Sequence, residues 1–446
     1  MARPRHGSKP NCRVQQAKGF FHRNPSGLVL ALLVENMPEV FTYPERLLEA
    51  DAIAALPQLV ARHGLGARLL LVCDDATWVA AGEACVATLG AHHVQVHSLG
   101  RAVKASLAHA EAVAAEAHAM QATGLVAVGS GTLNDITKYA AYLAELPYLV
   151  VATAASMNGY SSANASLEVQ NHKQSFAARS PKAVLADTRV IAHAPKRLTR
   201  AGIGDTLCRS TVAADRYLSH VVFGTPFERA IFDRLRAHEP WLLANAALTK
   251  ESSLPFAKTL MQALLDAGDA MTEAGSSAVA SQGEHMIAHT LEQLYGGELR
   301  DILHGELVAV TTVTMAHLQH KMLLGQLSLR HLPREHDVFY RFFGREAGSK
   351  MIEAYARKII PEDQADAMNA KFQRDWPEFK AELLGLMVPA NGIERMFMEV
   401  GLATKPDGLG LMPDRYNAAM SYAYLTRERF TFLDLAAMNA RRASGL

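Results

Sequence analysis

Residues Gly124–Glu145 read GLVAVGSGTLNDITKYAAYLAE, and the fold turns on how they are taken. An apolar run ends in two glycines flanking Ser130, and a segment with helical periodicity follows at once. That is a buried strand, a tight turn and a helix. The pattern repeats on both sides. RLLLVCD (68–74) reads as a strand and ATWVAAGEACVATLG (76–90) as a helix. HHVQVHSL (92–99) is a second strand, the Ala-rich run 103–120 a second helix, and PYLVVATA (147–154) a further strand. Short apolar runs separated by helices of this length predict parallel strands joined by right-handed crossovers, in a doubly wound sheet. Beyond Pro195 strand-like runs are scarce and Ala-, Leu- and Met-rich helical segments fill the chain. The expected fold is an α/β domain with a parallel sheet over 41–194, then an all-helical domain over 195–446. The cleft between them is where the chemistry is expected, because ligand sites favour domain interfaces and the carboxyl ends of parallel strands.

The chain has 446 residues, 49% apolar and 20% charged, with a net charge of +1. That suffices for two substantial cores, and the neutral balance argues against a dedicated nucleic-acid partner. No apolar run is long enough to span a bilayer; GLVLALLV (27–34) falls far short. The four cysteines, Cys12, Cys73, Cys85 and Cys208, include no C-x-x-C pair, so a disulfide framework is not expected and a reducing cytoplasm is. Residues 1–40 begin with Arg3, Arg5, Lys9, Arg13, Lys18 and Arg23 and no acid before Arg23. They read as a disordered tail, or as a start placed too far upstream.

Several stretches carry chemistry. In VGSGTLND, Gly129 and Gly131 let an anion approach the backbone at a helix start, where the dipole favours a diphosphate. Such a turn equally serves a tight connection, and Asn134 stands where a third glycine would complete the dinucleotide fingerprint. Asp135 and Lys138, one turn apart, fit a simple ion pair. Asp74, at a strand end, suits ribose hydroxyls or a plain helix cap. ATAASMNGYSSANAS (152–166) is a small polar loop of hydroxyls and amides. In KRLTRAGIGDTLCRS (196–210), Gly202 and Gly204 are read as framing a turn into Asp205 at the start of the next helix, where a carboxylate ordinarily caps. EHMIAHTLEQLYGGELRDILHGE (284–306) places His285 and His289 on one helical face. Gly296 and Gly297 end that helix, and a new one near Asp301 carries His304 in its first turn. If Asp205 faces His285 and His304, one carboxylate and two imidazoles form a three-ligand set with an open position.

Taken jointly, GSGTLNDITKYAA, TAASMNGYSSANAS, APKRLTRAGIGDTLCRSTVAADRYLSH, GEHMIAH and LHGELVAV resemble the iron-containing alcohol dehydrogenase and glycerol dehydrogenase superfamily. Within it they are most similar to the bacterial sn-glycerol-1-phosphate dehydrogenase family. The resemblance implies that Gly129, Ser130, Gly131, Thr132 and Leu133, with Asp74, Asp135 and Lys138, hold NAD or NADP, and that Thr153, Ala154, Ala155, Ser156 and Ser162 contact its nicotinamide half. It implies one divalent metal, zinc or nickel with iron as a third option, on Asp205, His285 and His304. Asp205 and His289 are then catalytic and contact substrate together with Asn158. Many relatives carry Asp in place of Asn158, which leaves the substrate preference open. The implied reaction interconverts dihydroxyacetone phosphate and sn-glycerol 1-phosphate in a cytoplasmic homodimer with no membrane or nucleic-acid partner. Lys196, Arg197 and Arg200 are candidates for the substrate phosphate or simply a solvated face. Two alternatives remain at this point. One is a polyol dehydrogenase or dehydroquinate-synthase-like enzyme of the same superfamily; the other is a non-catalytic dinucleotide-binding scaffold.

Overall fold

The computed structural model describes residues 43–169, 172–333 and 336–440; the expected tail at 1–40 lies outside them. Six strands form one parallel sheet: β1 (Glu45–Glu49), β2 (Arg68–Cys73), β3 (His93–Ser98), β4 (Gly124–Gly129), β5 (Tyr148–Ala152) and β8 (Ala183–Asp187). Their order is β1-β8-β5-β4-β2-β3. Between them β6 (Asn164–Val169) and β7 (His172–Ala177) make a separate antiparallel hairpin.

Alternation along each central strand feeds two cores. Leu70, Val72, Leu125, Ala127, Val150, Ala152, Val184 and Ala186 face one cluster, and their neighbours Leu69, Leu71, Val126, Val128, Leu149, Val151 and Leu185 face the other. Every central strand is therefore apolar on both faces, as parallel sheets covered by helices require. Each leucine or valine among them contributes roughly 1.5–3 kcal/mol by leaving water. The first cluster continues without a break into helical residues such as Leu264, Ala309 and Phe397.

Helix α1 (Leu107–Ala119) starts later than the Ala-rich run suggests, because the Ser106 side chain accepts from the His109 N–H and fixes the cap. Helix α2 (Gly131–Leu143) follows the glycine turn. The helical part contains α3 (Lys196–Thr206), α4 (Arg209–Phe223), α5 (Leu254–Glu273), α6 (Gly283–Tyr295) and α7 (His304–Leu323), then a run of helices to Ala440. No described helix is long and apolar enough to cross a membrane.

Register places the functional loops side by side. β4 pairs β5 from Leu125 opposite Tyr148 to Gly129 opposite Ala152, so the glycine turn and the Thr153 loop leave the sheet together. Strand order reverses between β2 and β4, the position where open α/β sheets form their ligand crevice.

Candidate metal and dinucleotide site

Two of the sequence expectations about the metal ligands need correction. Asp205 does not begin a helix; it lies in the last turn of α3, and Gly202 and Gly204 sit inside that helix. A Cβ on Gly202 would fall 2.0 Å from the Ala155 carbonyl oxygen, and one on Gly204 2.1 Å from that of Gly305. A Cβ on Gly305 would lie 1.9 Å from the Ala201 oxygen. These glycines mark close backbone contact between α3 and α7, and of α3 with the loop after β5. Likewise His304 is itself the first residue of α7, with no helix beginning at Asp301. The close crossing of α3 and α7 is what brings Asp205 to His304.

The third ligand candidate comes from α6. His285 Nε2 stands 3.3 Å from Asp205 Oδ1, and the His285 and His304 rings are 5.4 Å apart. Donor atoms of Asp205, His285 and His304 all fall within 4.8 Å of one another. Asp205 and His285 are buried, while His304 is partly open. His289, one turn from His285 and half-buried, stacks on His304 with centroids 5.4 Å apart.

Two glutamates complete this set. Glu284 Oε1 bonds His285 Nδ1 at 2.9 Å, and Glu292 Oε1 bonds His304 Nδ1 at 2.9 Å. Each imidazole thus has Nδ1 engaged by a carboxylate, and His285 turns Nε2 to Asp205, the arrangement that fixes a metal-binding histidine and raises its basicity. Glu292 shares its helix face with His285 and His289, at i+7 and i+3; Glu284 immediately precedes His285. Both carboxylates could have been sought from that spacing. Asn158 holds the remaining candidate ligand: its backbone N–H reaches Asp205 Oδ2 at 2.8 Å and its side-chain amide reaches Oδ1 at 3.2 Å.

Burial works against ionisation of Asp205, but the His285 hydrogen bond and the nearby imidazoles hold its carboxyl below the usual range. His285 is buried as well, yet hydrogen bonds to Asp205, Cys208 and Glu284 raise it well above an ordinary imidazole. For His289 burial prevails and lowers it well below. Cys208 lies behind His285, and burial pushes its thiol up to about 11. One carboxylate and two imidazoles, each imidazole backed by a further carboxylate, fit a divalent zinc, nickel or iron ion.

On the sheet side, the Ser130 side chain makes no cap to α2, which leaves the first N–H groups of the helix for an anion. Gly129 and Gly131 have no left-handed backbone; their use is close approach. A Cβ on Gly129 would meet Leu133 Cβ at 2.5 Å, and one on Gly131 would meet the Met157 side chain at 2.6 Å. Thr132 is the second residue of α2.

Asp74 is a helix cap, accepting from Thr77 N at 2.7 Å. Lys138 is fully buried and donates to the carbonyls of Gly159 at 2.7 Å and Asn164 at 2.8 Å, with Asp135 3.4 Å away. Asp135 in turn accepts from Ser166 N. These two residues hold the loop from Thr153 to Asn164 in place. Tyr160 ties the same loop to Ala154, and Ser161 ties it to Leu265. Thr153, Ala154 and Ala155 are buried along it, Ser156 is partly open, and Ser162 bonds the Gly159 and Asn164 carbonyls. Of the basic candidates on α3, Arg197 forms a forked pair with Glu306 and Lys196 reaches the Glu251 carbonyl, while Arg200 is half-buried with its guanidinium beside Gly401.

Residues 47–195 match the model of the family described as iron-containing alcohol dehydrogenase. The glycerol-1-phosphate dehydrogenase [NAD(P)+] of Methanocorpusculum labreanum is 32% identical over 263 residues, 59% of this chain and 71% of that protein. The chain belongs to the glycerol-1-phosphate dehydrogenase family. The family's Pyrococcus furiosus enzyme is 36% identical over 193 residues, 43% of this chain and 55% of its own length. The chain thus spans little more than half the length of several curated relatives it matches. Among solved structures, a probable glycerol dehydrogenase from Sinorhizobium meliloti 1021 superposes with a TM-score of 0.61 at 20% identity, over 90% of this chain and 99% of that one. At that identity the likeness is one of fold. It shows the arrangement described above, a parallel-sheet part followed by a helical part.

Proposed function

We propose that the chain is a metal-dependent, NAD(P)-linked dehydrogenase that interconverts dihydroxyacetone phosphate and sn-glycerol 1-phosphate. The observation that carries this reading is the convergence of Asp205, His285 and His304, each orienting partner in place, next to the glycine turn of a dinucleotide-type sheet. Family membership supports the substrate. A divalent ion bound by the three residues would supply Lewis-acid polarisation of a carbonyl, and the nicotinamide would supply the hydride.

The chain's own groups do the rest. The turn at Gly129–Leu133 receives the cofactor diphosphate on helix N–H groups. The fastened loop carrying Thr153, Ala154, Ala155, Ser156 and Ser162 sets the nicotinamide position, and Lys138 and Asp135 keep that loop rigid. Asn158 holds the Asp205 carboxylate by two hydrogen bonds. His289, beside His304 and partly open, is placed to pass a proton to or from the substrate oxygen. The boundary between sheet and helical parts is placed at Ala194–Pro195, where one helix ends at His193 and α3 begins at Lys196. The described cysteines, Cys73, Cys85 and Cys208, are free and buried, in keeping with a reducing cytoplasm. The family resemblance supports a homodimer.

The test is NADH and NADPH oxidation by protein reconstituted with zinc, nickel or iron, given dihydroxyacetone phosphate or dihydroxyacetone. Turnover that requires the phosphate and disappears in a His285→Ala, His304→Ala variant is expected. Reduction of the unphosphorylated ketone alone would move the chain to polyol chemistry, and no reduction by metal-loaded protein would exclude the dehydrogenase.

A further inference from the structure

Two sets of metal-binding side chains overlap at His304. Donor atoms of His289, Glu292 and His304 fall within 4.8 Å of one another, as do those of Asp205, His285 and His304. Helix α6 serves both sets from one face: His289 and Glu292 follow His285 at i+4 and i+7.

The sets differ in depth. In the first, the Asp205 and His285 side chains are only 2% and 5% exposed. In the second all three residues are partly open, with Glu292 at 18% and His304 at 24%. The outer donors also stand close together. Glu292 Oε1 is 2.9 Å from His304 Nδ1, and the His289 and His304 rings lie nearly parallel with centroids 5.4 Å apart. Ligand atoms around a tetrahedral zinc, with bonds near 2.0–2.1 Å, stand roughly 3.3 Å from one another. Two imidazoles and one carboxylate are moreover a donor set that such an ion accepts.

A buried metal position needs an entry path, and the outer set lies between the inner ligands and solvent-exposed surface of the same residues. We propose that His289, Glu292 and His304 form an outer site for a divalent transition-metal cation, where the ion lands before it passes to Asp205, His285 and His304. Because His304 is common to both positions, the ion exchanges only two protein ligands on the way in, His289 and Glu292 for Asp205 and His285. With the ion inside, Glu292 is again the partner that orients His304, and His289 is free to face the substrate. This inference rests on the metal reading of Asp205, His285 and His304, and not on the substrate assigned to the enzyme.

The experiment uses full-length, metal-stripped protein and zinc ion alone, read by competition with a chromophoric chelator, with circular dichroism to check folding. Asp205→Ala, His285→Ala removes two of the three inner ligands and leaves the outer set whole. It is expected to retain one zinc per chain, held more weakly than in the wild type. Adding His289→Ala should weaken that residual binding by at least about 10- to 100-fold, since losing a ligand costs no less than losing a partner that orients one. In the otherwise intact chain, His289→Ala should take up zinc about tenfold more slowly in stopped-flow mixing, with the final stoichiometry and affinity kept. No zinc on the double variant beside one on the wild type, or residual binding indifferent to His289→Ala, would overturn the outer site. An unchanged uptake rate would overturn its role in loading. If the double variant does not fold, the uptake rates decide: slower uptake in His289→Ala upholds the site, and an equal rate removes it. A wild type that binds no zinc would instead remove the metal reading itself, and the outer site with it.

Discussion

The two halves of the site are built in opposite ways. The turn proposed to take the cofactor is local: strand, turn and helix are consecutive in Gly124–Leu143, and the atoms it would offer are backbone N–H groups. The proposed metal cluster is assembled from α3, α6 and α7, with His285 and His304 lying 80 and 99 positions from Asp205 along the chain. Its geometry depends on two helix backbones touching at Gly204 and Gly305. A local device tolerates small changes elsewhere in the fold, whereas a cluster held by an interhelical contact fails when that contact is widened.

Gly305→Val should therefore have the largest effect. Its Cβ would enter the Ala201 carbonyl, a backbone atom that cannot rotate away, and overpacking of this kind costs about 1–3 kcal/mol or more. Metal content after dialysis should fall to background while the protein remains folded by circular dichroism; full metal retention would break the comparison. Next, Glu292→Gln keeps the ligands but removes the carboxylate behind His304. Metal affinity should drop by about 10- to 100-fold, measured by chelator competition, with the NADH dissociation constant unmoved. Gly129→Ala addresses the other half. The added methyl meets Leu133 Cβ and displaces the turn, so NADH binding should weaken by about tenfold with metal affinity intact, as fluorescence titration would show.

The smallest effect is on stability against pH. Glu239 is buried, and despite the opposing charges of Arg209, Arg236 and His238 its carboxyl is pushed up to about 7. The folded state then holds a proton that the unfolded chain releases near 4.5, so stability falls as pH rises from 4.5 towards 7 and stays reduced above. Glu239→Gln should remove that slope and gain about 1–3 kcal/mol at pH 8 relative to pH 4, seen in urea unfolding at both values. An identical pH profile in wild type and variant would contradict it.

The contrast also explains what the sequence could convey. Strands β2 to β5 are contiguous apolar runs bracketed by helices, and they were readable. Strand β1 (ERLLE) is a short edge with charged ends, tied to α5 through Arg46 and the carboxylates of Asp266 and Asp269. Strand β8 is five residues with two alanines, and the β6–β7 hairpin is largely polar. None of these three stands out by apolarity. The candidate ligands were legible as residue types, and the family resemblance joined them. The positions of Gly202 and Gly204 within a helix were not, because a glycine required by a neighbour's backbone looks the same in sequence as one required by a turn. Asp74 shows the converse ambiguity: one carboxylate at a strand end serves a cap or a ribose equally well by sequence, and here one of its oxygens accepts from the Thr77 N–H.

The most direct test of the account is calorimetric titration of metal-stripped protein with zinc and nickel, for the wild type and for His304→Ala. The account predicts a single tight site per chain in the wild type and its loss in the variant. A wild type that binds neither ion, or a variant that binds as tightly as the wild type, would contradict it.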